Sequence, residues 1–236
     1  MKKRLFIILL CFYLTAGTSH AQTVGLFTQS AGSLDGYVLF APIASTTTFL
    51  IDKCGYLVHS WSSAYQTGQS VYILENGILL RPGLTNNTVF TGGGGGGIIE
   101  KYDWNSNVLW SYTISDSNQC QHHDVRQLPN GNVLVIVWEK KTYAEAIAAG
   151  RNPALLGAAV FSEKLVELQP VGTDSANIVW EWHMWDHLVQ DYDATKNNYG
   201  NVSLHPELLN LNFVAGMPGA TDWLHVNAID YHAALD

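Results

Sequence analysis

Two histidines, His123 and His225, occupy similar places in successive stretches of the chain, each just before an apolar run. A neutral imidazole can attack an electrophile, and an imidazole N–H can hold an anionic oxygen or protonate a leaving group. If the two runs are equivalent strands of neighbouring repeats, both rings face the same axis and converge on one pocket. We therefore predict that His123 and His225 are catalytic.

The elements that must position these rings are short strands. The apolar runs are four to six residues long, are rich in β-branched or aromatic residues, and are separated by Gly, Asn and Pro turns. The clearest runs are 36–40, 71–74, 133–137 and 164–168. This pattern predicts an all-β chain.

The strands recur as a repeat. Segments 50–61, 99–110 and 165–180 each read as a strand, a polar turn and a second strand that ends in Trp. Asn-Gly turns at 76–77 and 130–131 mark a further hairpin after the first two copies. A spacing of roughly fifty residues with about four strands per copy indicates β-propeller blades. About three blades fit the chain, so we expect a propeller truncated at its C-terminus.

Two insertions and a glycine run interrupt this repeat. Thr142 and Glu145 form a capping box that predicts a short helix ending near Gly150. The longer insertion, 182–216, is predicted to be a lid or pocket wall. The six glycines at 92–97 lack the Lys-Ser/Thr of a phosphate loop, so we interpret them as a flexible loop without a direct ligand role.

The N-terminus predicts export. A basic cluster, an apolar run of about ten residues and the small residues before Gln22 form a signal peptide over residues 1–21. Residues 22–236 would then be the partial propeller domain, periplasmic or secreted and not inserted in a membrane after cleavage. Cys54 and Cys120 could pair in an oxidising compartment, but their spacing does not decide it.

Composition limits the partners. The chain is 47% hydrophobic and carries a net charge of −8, so it is globular and a poor candidate for binding nucleic acid or anionic lipid. The oligomeric state stays open, and a homo-oligomer is one possibility.

Three groups of motifs in the chain resemble one family. They are His123-Asp124 followed by Leu-Pro-Asn-Gly-Asn at 128–132, Trp-Glu-Trp-His at 180–183 with Trp-Asp-His-Leu at 185–188, and Asp-Trp-Leu-His-Val-Asn at 222–227. Together they resemble the bacterial aryl-sulfate sulfotransferases that use no nucleotide sulfate donor. The resemblance covers essentially the whole mature chain. It implies a six-bladed propeller that moves a sulfuryl group from a phenolic sulfate ester to a phenol by a ping-pong route through a sulfated histidine.

The resemblance also implies roles for individual residues. His123 and His225 match the two histidines that surround the sulfate. The nucleophilic histidine and a sulfate-binding arginine belong to later blades, after residue 236, so the nucleophile is not in this chain and the fragment alone is expected to be inactive. Trp185 and Trp223 break the repeated pattern of Trp at blade ends, so they are candidates for an aromatic wall around a phenol. Asn227 is the third substrate-binding candidate. No cofactor and no metal are implied.

Other histidine roles remain open at this stage. His122 is an alternative to His123, and the role of His187 is undetermined. A zinc site made by His122, His123 and His225 is conceivable, but no second short-spaced ligand pair supports it. Most other histidines are predicted to be structural or exposed; these are His59, His183, His205 and His232.

Two further functions compete with the sulfotransferase. A non-catalytic secreted propeller could act as a binding module or scaffold, since one fold hosts many functions. A quinone-dependent dehydrogenase has similar repeats ending in Trp, but neither its calcium site nor its cofactor-stacking Trp can be identified. Whatever the function, Trp61, Trp110 and Trp180 recur at blade ends and are predicted to pack one blade on the next.

Overall fold

The computed structural model describes residues 26, 28, 30–214 and 219–235. The predicted signal peptide lies outside these residues. The chain is all-β, with 43% strand and 7% helix, as the short apolar runs predict. No helix in the described ranges is long and apolar enough to cross a membrane.

Thirteen strands and one α-helix are formed by the described residues. The strands are β1 Tyr37–Phe40, β2 Thr47–Asp52, β3 Leu57–Ser62, β4 Tyr72–Ile73, β5 Leu79–Leu84, β6 Gly97–Tyr102, β7 Val108–Thr113, β8 Gln119–Gln127, β9 Val133–Thr142, β10 Ala159–Val171, β11 Ser175–His183, β12 Leu188–Val189 and β13 Leu209–Asn210. The helix is α1, Tyr143–Ala148. Short 3₁₀ turns cover Pro153–Leu155, Met184–Asp186 and Val202–Leu204.

The strands form consecutive antiparallel sheets. The first has the order β1-β2-β3, the second β4-β5-β6-β7, and the third β11-β10-β9-β8, so each larger sheet is a four-stranded meander in chain order. A parallel pair, β12 and β13, lies within the long insertion. The hairpins predicted from the repeated segments are β2-β3, β6-β7 and β10-β11.

The two Asn-Gly turns join strands as predicted. Gly77 lies between β4 and β5 with φ 79°, and Gly131 lies between β8 and β9 with φ 87°. A side chain at either position would be strained, because L-residues rarely adopt positive φ. These glycines therefore fix where each meander turns.

Repeated tryptophans join neighbouring sheets. The indole N–H of Trp61, in β3, donates to the carbonyl of Asp103 in the β6-β7 turn, at 3.0 Å. The indole N–H of Trp110, in β7, donates to the carbonyl of Ser175 at the start of β11, at 2.8 Å. Both rings are buried, whereas Trp180 is 45% exposed. The predicted packing role is thus observed for two of the three tryptophans.

The central core lies between the two meanders. Val125, Val133, Val135 and Val137 of β8 and β9 pack with residues of β5, β6, β7 and β10. Burial of these β-branched side chains is the main favourable term that holds the two sheets together.

The helix and the long insertion pack against one face of the third sheet. The Thr142 hydroxyl accepts from Glu145 N and the Glu145 side chain accepts from Thr142 N, so the capping box forms as predicted. Ala146 of the helix packs with Val160, Leu188, and further apolar side chains of the insertion. The buried Arg151 guanidinium donates to the Leu211 carbonyl, which ties the insertion to the loop that follows α1.

Candidate active site

A bulge in β8 sets the direction of the two adjacent histidines. The register of β8 against β9 shifts between Gln121 and Val125, so the residues between them leave the ladder. Within this bulge His123 has φ 50°, a conformation that is rare for a residue with a Cβ. Bulges re-aim side chains, and this one turns His122 and His123 toward each other.

Three imidazoles form a cluster at the bulge. The ring centroids of His123 and His225 are 4.7 Å apart in an edge-to-face arrangement. The Nδ1 atoms of His122 and His123 are 3.0 Å apart, a hydrogen-bond distance. The structure therefore brings together His123 and His225, as the repeat equivalence predicts, and it adds His122.

His122 is held on its other side by Glu163. Nε2 of His122 and Oε2 of Glu163 are 2.9 Å apart, and both side chains are fully buried. The His122 ring also stacks on Trp138, with centroids 3.9 Å apart and planes 1° from parallel. Glu163 on β10 is paired with Trp138 on β9, so the two strands together position the ring.

Burial decides the charge of this pair. It raises the pKa of Glu163 to about 8 and lowers the pKa of His122 to about 3. The 2.9 Å contact could be an ion pair, but both shifts favour a neutral carboxylic acid and a neutral imidazole near pH 7. Burial, followed by the charges of His122 and His225, lowers the pKa of His123 to about 4. His123 is therefore neutral as well.

The segment that carries His225 is held by carboxylates. Val226 N donates to Glu163 Oε1 at 2.7 Å, and Ile229 N donates to Asp124 Oδ2 at 3.1 Å. Nδ1 of His225 is 2.8 Å from Asp222 Oδ2. This segment contains no regular strand between 223 and 230, so these hydrogen bonds hold it in place of a ladder.

The glycine run supports His123, a role that the sequence analysis did not assign to it. His123 N donates to Gly94 O at 2.7 Å. A Cβ built on Gly94 would lie 1.7 Å from Cε1 of the His123 ring, and Gly94 has φ 80°. Only glycine leaves room for the imidazole there. The prediction of a flexible connecting loop is replaced by a loop that seats His123.

The predicted substrate-binding residues lie in two places. Trp223 is 4% exposed, packs in the apolar cluster with Leu188 and Leu211, and donates its indole N–H to Phe213 O at 3.1 Å. Trp185 contacts Trp223 edge-on at 6.2 Å. Asn227, two residues after His225, is exposed. Contact of any of them with a phenol stays a prediction.

The other described histidines lie outside the cluster. His59 stacks on Trp104 at 4.1 Å, His183 contacts Glu139 at 3.2 Å, and His187 stacks on Trp182 at 4.7 Å. His205 contacts Glu207, two residues away, and His232 is exposed.

Cys54 and Cys120 are both free thiols, so the pairing that the sequence left open is not formed.

The two main surface depressions do not include the cluster, whereas the cluster itself has the geometry of a candidate metal site. Two depressions of about 530 and 710 Å³ are lined in part by Leu128, Pro129 and Tyr231, and neither is lined by His123 or His225. One nitrogen from each of the three clustered imidazoles lies within 4.8 Å of the others, so the cluster has the residue types that zinc uses. Both nitrogens of His122, however, already lie at hydrogen-bond distance from other side chains.

Sequence reasoning missed Glu163 and Asp222, the two carboxylates that contact the cluster. Glu163 lies in an alternating strand and has no distinctive spacing to any histidine. Asp222 stands three residues before His225, within the Asp-Trp-Leu-His-Val-Asn motif. A short Asp-to-His spacing was the one available signal, and it is weak without a fold.

One of three comparisons with known proteins gave a match. A family model described as Arylsulfotransferase (ASST) matches residues 43–236, which is most of the chain and includes the whole histidine cluster. Comparisons with curated proteins and with solved structures returned no match.

Proposed function

This chain belongs to the arylsulfotransferase family, and we propose that it transfers a sulfuryl group from a phenolic sulfate ester to a phenol by a ping-pong route. Family membership supports a sulfotransferase-type enzyme. The observation that carries the assignment to a site is the contact between His123 and His225, whose centroids are 4.7 Å apart. The carboxylates and glycine around them are arranged to hold both rings.

The free nitrogens of the cluster suit an anionic group. Among the described residues, Nδ1 of His123 and Nδ1 of His225 have hydrogen-bond partners, which leaves the Nε2 atom of each ring unpaired. A sulfuryl group in transfer spreads negative charge over its peripheral oxygens, as a phosphoryl group does. Two N–H donors aimed at those oxygens would stabilise that charge. His123 is neutral at pH 7, so it would act as a neutral donor.

The reaction proceeds in two balanced halves. A histidine nitrogen forms a bond to sulfur while the bond between sulfur and the donor phenolate oxygen breaks, and the phenolate takes up a proton. The acceptor phenol oxygen then bonds to sulfur, the sulfur–nitrogen bond breaks, and the phenol proton returns to the enzyme. The family resemblance assigns that nucleophile to a position after residue 236, so His123 and His225 are proposed as sulfate-binding and acid–base groups.

The two four-stranded meanders and the three-stranded sheet are proposed to be blades of one propeller. In support, Trp61 and Trp110 link each sheet to the next through the same indole-to-carbonyl hydrogen bond.

We further propose that residues 1–21 direct export, which would place the domain, residues 22–236, in the periplasm or outside the cell. Phenols and their sulfate esters are the proposed partners.

The test is sulfuryl transfer from p-nitrophenyl sulfate to phenol by the full-length gene product. The variants are His123→Ala and His225→Ala, with His205→Ala as the control because His205 contacts only nearby Glu207. We expect each site variant to lose about 100-fold or more in kcat/KM, the usual contribution of a positioned acid or oxyanion donor. The control should match wild type.

Two results would overturn the proposal. Wild-type protein that transfers no sulfuryl group over a panel of phenols would favour the non-catalytic binding module. Folded His123→Ala and His225→Ala variants with wild-type kcat/KM would retain the activity but place it elsewhere in the protein.

A further inference from the structure

We propose that Glu163 and His122 form a proton relay that passes a proton to the inner nitrogen of His123, Nδ1, as its outward nitrogen, Nε2, gives one up, and that takes the proton back later in each catalytic cycle. This inference rests on the proposed function, because a ping-pong transfer releases a proton to the first phenolate and recovers one from the second phenol. Glu163 and His122 do not touch substrate in this account. They act through His123.

Hydrogen-bond contacts link Glu163, His122 and His123 in an unbroken series. Glu163 Oε2 is 2.9 Å from His122 Nε2, and His122 Nδ1 is 3.0 Å from His123 Nδ1. Each imidazole uses one nitrogen to receive a proton and the other to pass one on. The last nitrogen, His123 Nε2, is the one without a hydrogen-bond partner among the described residues, and the ring is half-buried. This series of hydrogen-bond contacts therefore runs from a buried carboxyl group to the ring that faces the proposed sulfuryl group.

Burial and packing around Glu163 and His122 keep the transferred proton on these two groups and His123. Glu163 and His122 are fully buried, so no water competes for either group. The stack on Trp138 prevents the His122 ring from rotating out of line. Glu163 Oε1 is occupied by Val226 N at 2.7 Å, which leaves Oε2 as the oxygen that carries the proton.

Each step balances. In the first half-reaction His123 Nε2 gives its proton to the departing phenolate, His123 Nδ1 takes the proton of His122 Nδ1, and His122 Nε2 takes the proton of Glu163. Glu163 ends as a carboxylate and both rings end neutral. In the second half-reaction the acceptor phenol loses its proton to His123 Nε2, and the same transfers run in reverse.

The pKa values of Glu163 and of phenol favour proton transfer from Glu163 to the departing phenolate. A phenol has a pKa of about 10, whereas the pKa of Glu163 is about 8 because burial raises it. Glu163 is thus the stronger acid and can protonate a departing phenolate through the chain. The other titratable groups that face Glu163 are His122, His225 and Asp222. The charge of His225 lowers the pKa of Glu163, and the charge of Asp222 raises it.

The experiment compares donors whose leaving phenols differ in acidity. Glu163→Gln keeps both hydrogen bonds, since its amide can donate to His122 Nε2 and accept from Val226 N, but an amide cannot release a proton. We expect kcat/KM to fall about 100-fold with phenyl sulfate, the scale of general acid catalysis, and clearly less with p-nitrophenyl sulfate, because nitrophenolate leaves without a proton. His122→Phe keeps the ring stack but removes both nitrogens, so it should show the same pattern.

Glu167→Gln is the matched control. It makes the same change on the same strand, where Glu167 accepts only from Asn130 and Asn132, and it should leave both rates at wild-type values. Equal losses with the two donors in folded Glu163→Gln, or no loss with either, would overturn the relay while leaving the sulfotransferase assignment in place.

A measurement without turnover separates the relay from the reaction. Infrared difference spectra between wild type and Glu163→Gln should show a protonated carboxylic acid at pH 7 that disappears as the pH rises through about 8. Absence of that band would overturn the relay even if sulfuryl transfer is observed. Its presence in a protein without transferase activity would support the stored proton and count against the proposed function.

Discussion

The His123 ring packs directly against Gly94 in the glycine run, so Gly94 is the most informative position to change. In Gly94→Ala the new methyl group would lie 1.7 Å from Cε1, 2.0 Å from Nδ1 and 2.2 Å from Nε2 of the imidazole. Contacts of a Cβ below 3.0 Å are essentially never seen, so the ring must move by more than an ångström. The backbone at φ 80° adds strain of roughly 1 to 2 kcal/mol for a residue with a Cβ.

Two separate effects of Gly94→Ala are expected. Displacement of a catalytic group by about 1 Å can reduce the rate about 100-fold, so kcat/KM for sulfuryl transfer should fall by that order. The free energy of unfolding should fall by about 1 to 2 kcal/mol from the backbone strain, and displacement of the ring adds a further cost of about 1 to 3 kcal/mol. The assays are steady-state transfer from p-nitrophenyl sulfate and urea denaturation, both on the full-length gene product.

Gly93→Ala is the matched control for this change. A Cβ on Gly93 would meet nothing within 4 Å, and Gly93 is exposed. It should retain wild-type activity and stability. A Gly94→Ala variant with wild-type kcat/KM, or a Gly93→Ala variant that loses as much activity as Gly94→Ala, would show that Gly94 does not position His123.

Three further predictions concern the sheets, pH and metals. Trp61→Phe should lower the free energy of unfolding by about 1 to 2 kcal/mol in urea titrations, because it removes a buried inter-sheet hydrogen bond; Trp180→Phe, at a ring 45% exposed, should change it little, and equal losses would contradict this. Burial lowers the pKa of His122 and His123 from 6.5 to about 3 and about 4, so the unfolded chain binds protons that the folded chain does not. Stability from these two groups should be complete above pH 6.5 and lost as the pH falls toward 4. Glu163, whose pKa burial raises to about 8, has the opposite effect, because over this range it stays protonated in the folded chain and is ionised in the unfolded chain. The urea midpoint is therefore followed in Glu163→Gln, and a midpoint that does not fall between pH 7 and pH 5 in that variant would argue against neutral buried imidazoles. Dialysis against EDTA should leave sulfuryl transfer unchanged, whereas activity lost on chelation and restored by zinc would assign the cluster to a metal.

Local pattern predicted the fold elements well. Alternation and Asn-Gly turns identified the hairpins, and the capping box at Thr142 identified α1, because these features depend on residues close in sequence. The approach of His123 and His225 was predicted from the repeat, but His225 lies in a segment without regular strand structure and not at an equivalent strand, as the prediction assumed. Trp180 was predicted to pack between sheets and is instead half exposed.

The rest of the site depends on contacts that sequence spacing does not record. The bulge around His122 has no compositional mark, because any residue type can occupy a bulge. Glu163 reaches His122 only through the pairing of β8, β9 and β10 in one sheet. The need for glycine at Gly94 arises from a ring on another strand, so a run of six glycines resembles a flexible linker until the fold is known.

The central claim is that a sulfuryl group passes through the enzyme at this histidine cluster. Intact mass spectrometry under non-acidic conditions tests it most directly, on full-length protein incubated with p-nitrophenyl sulfate and no acceptor. We expect one added sulfuryl group per chain, which is lost when phenol is added and is strongly reduced in His123→Ala and His225→Ala. Turnover without any added mass, or an unchanged adduct in both variants, would contradict it.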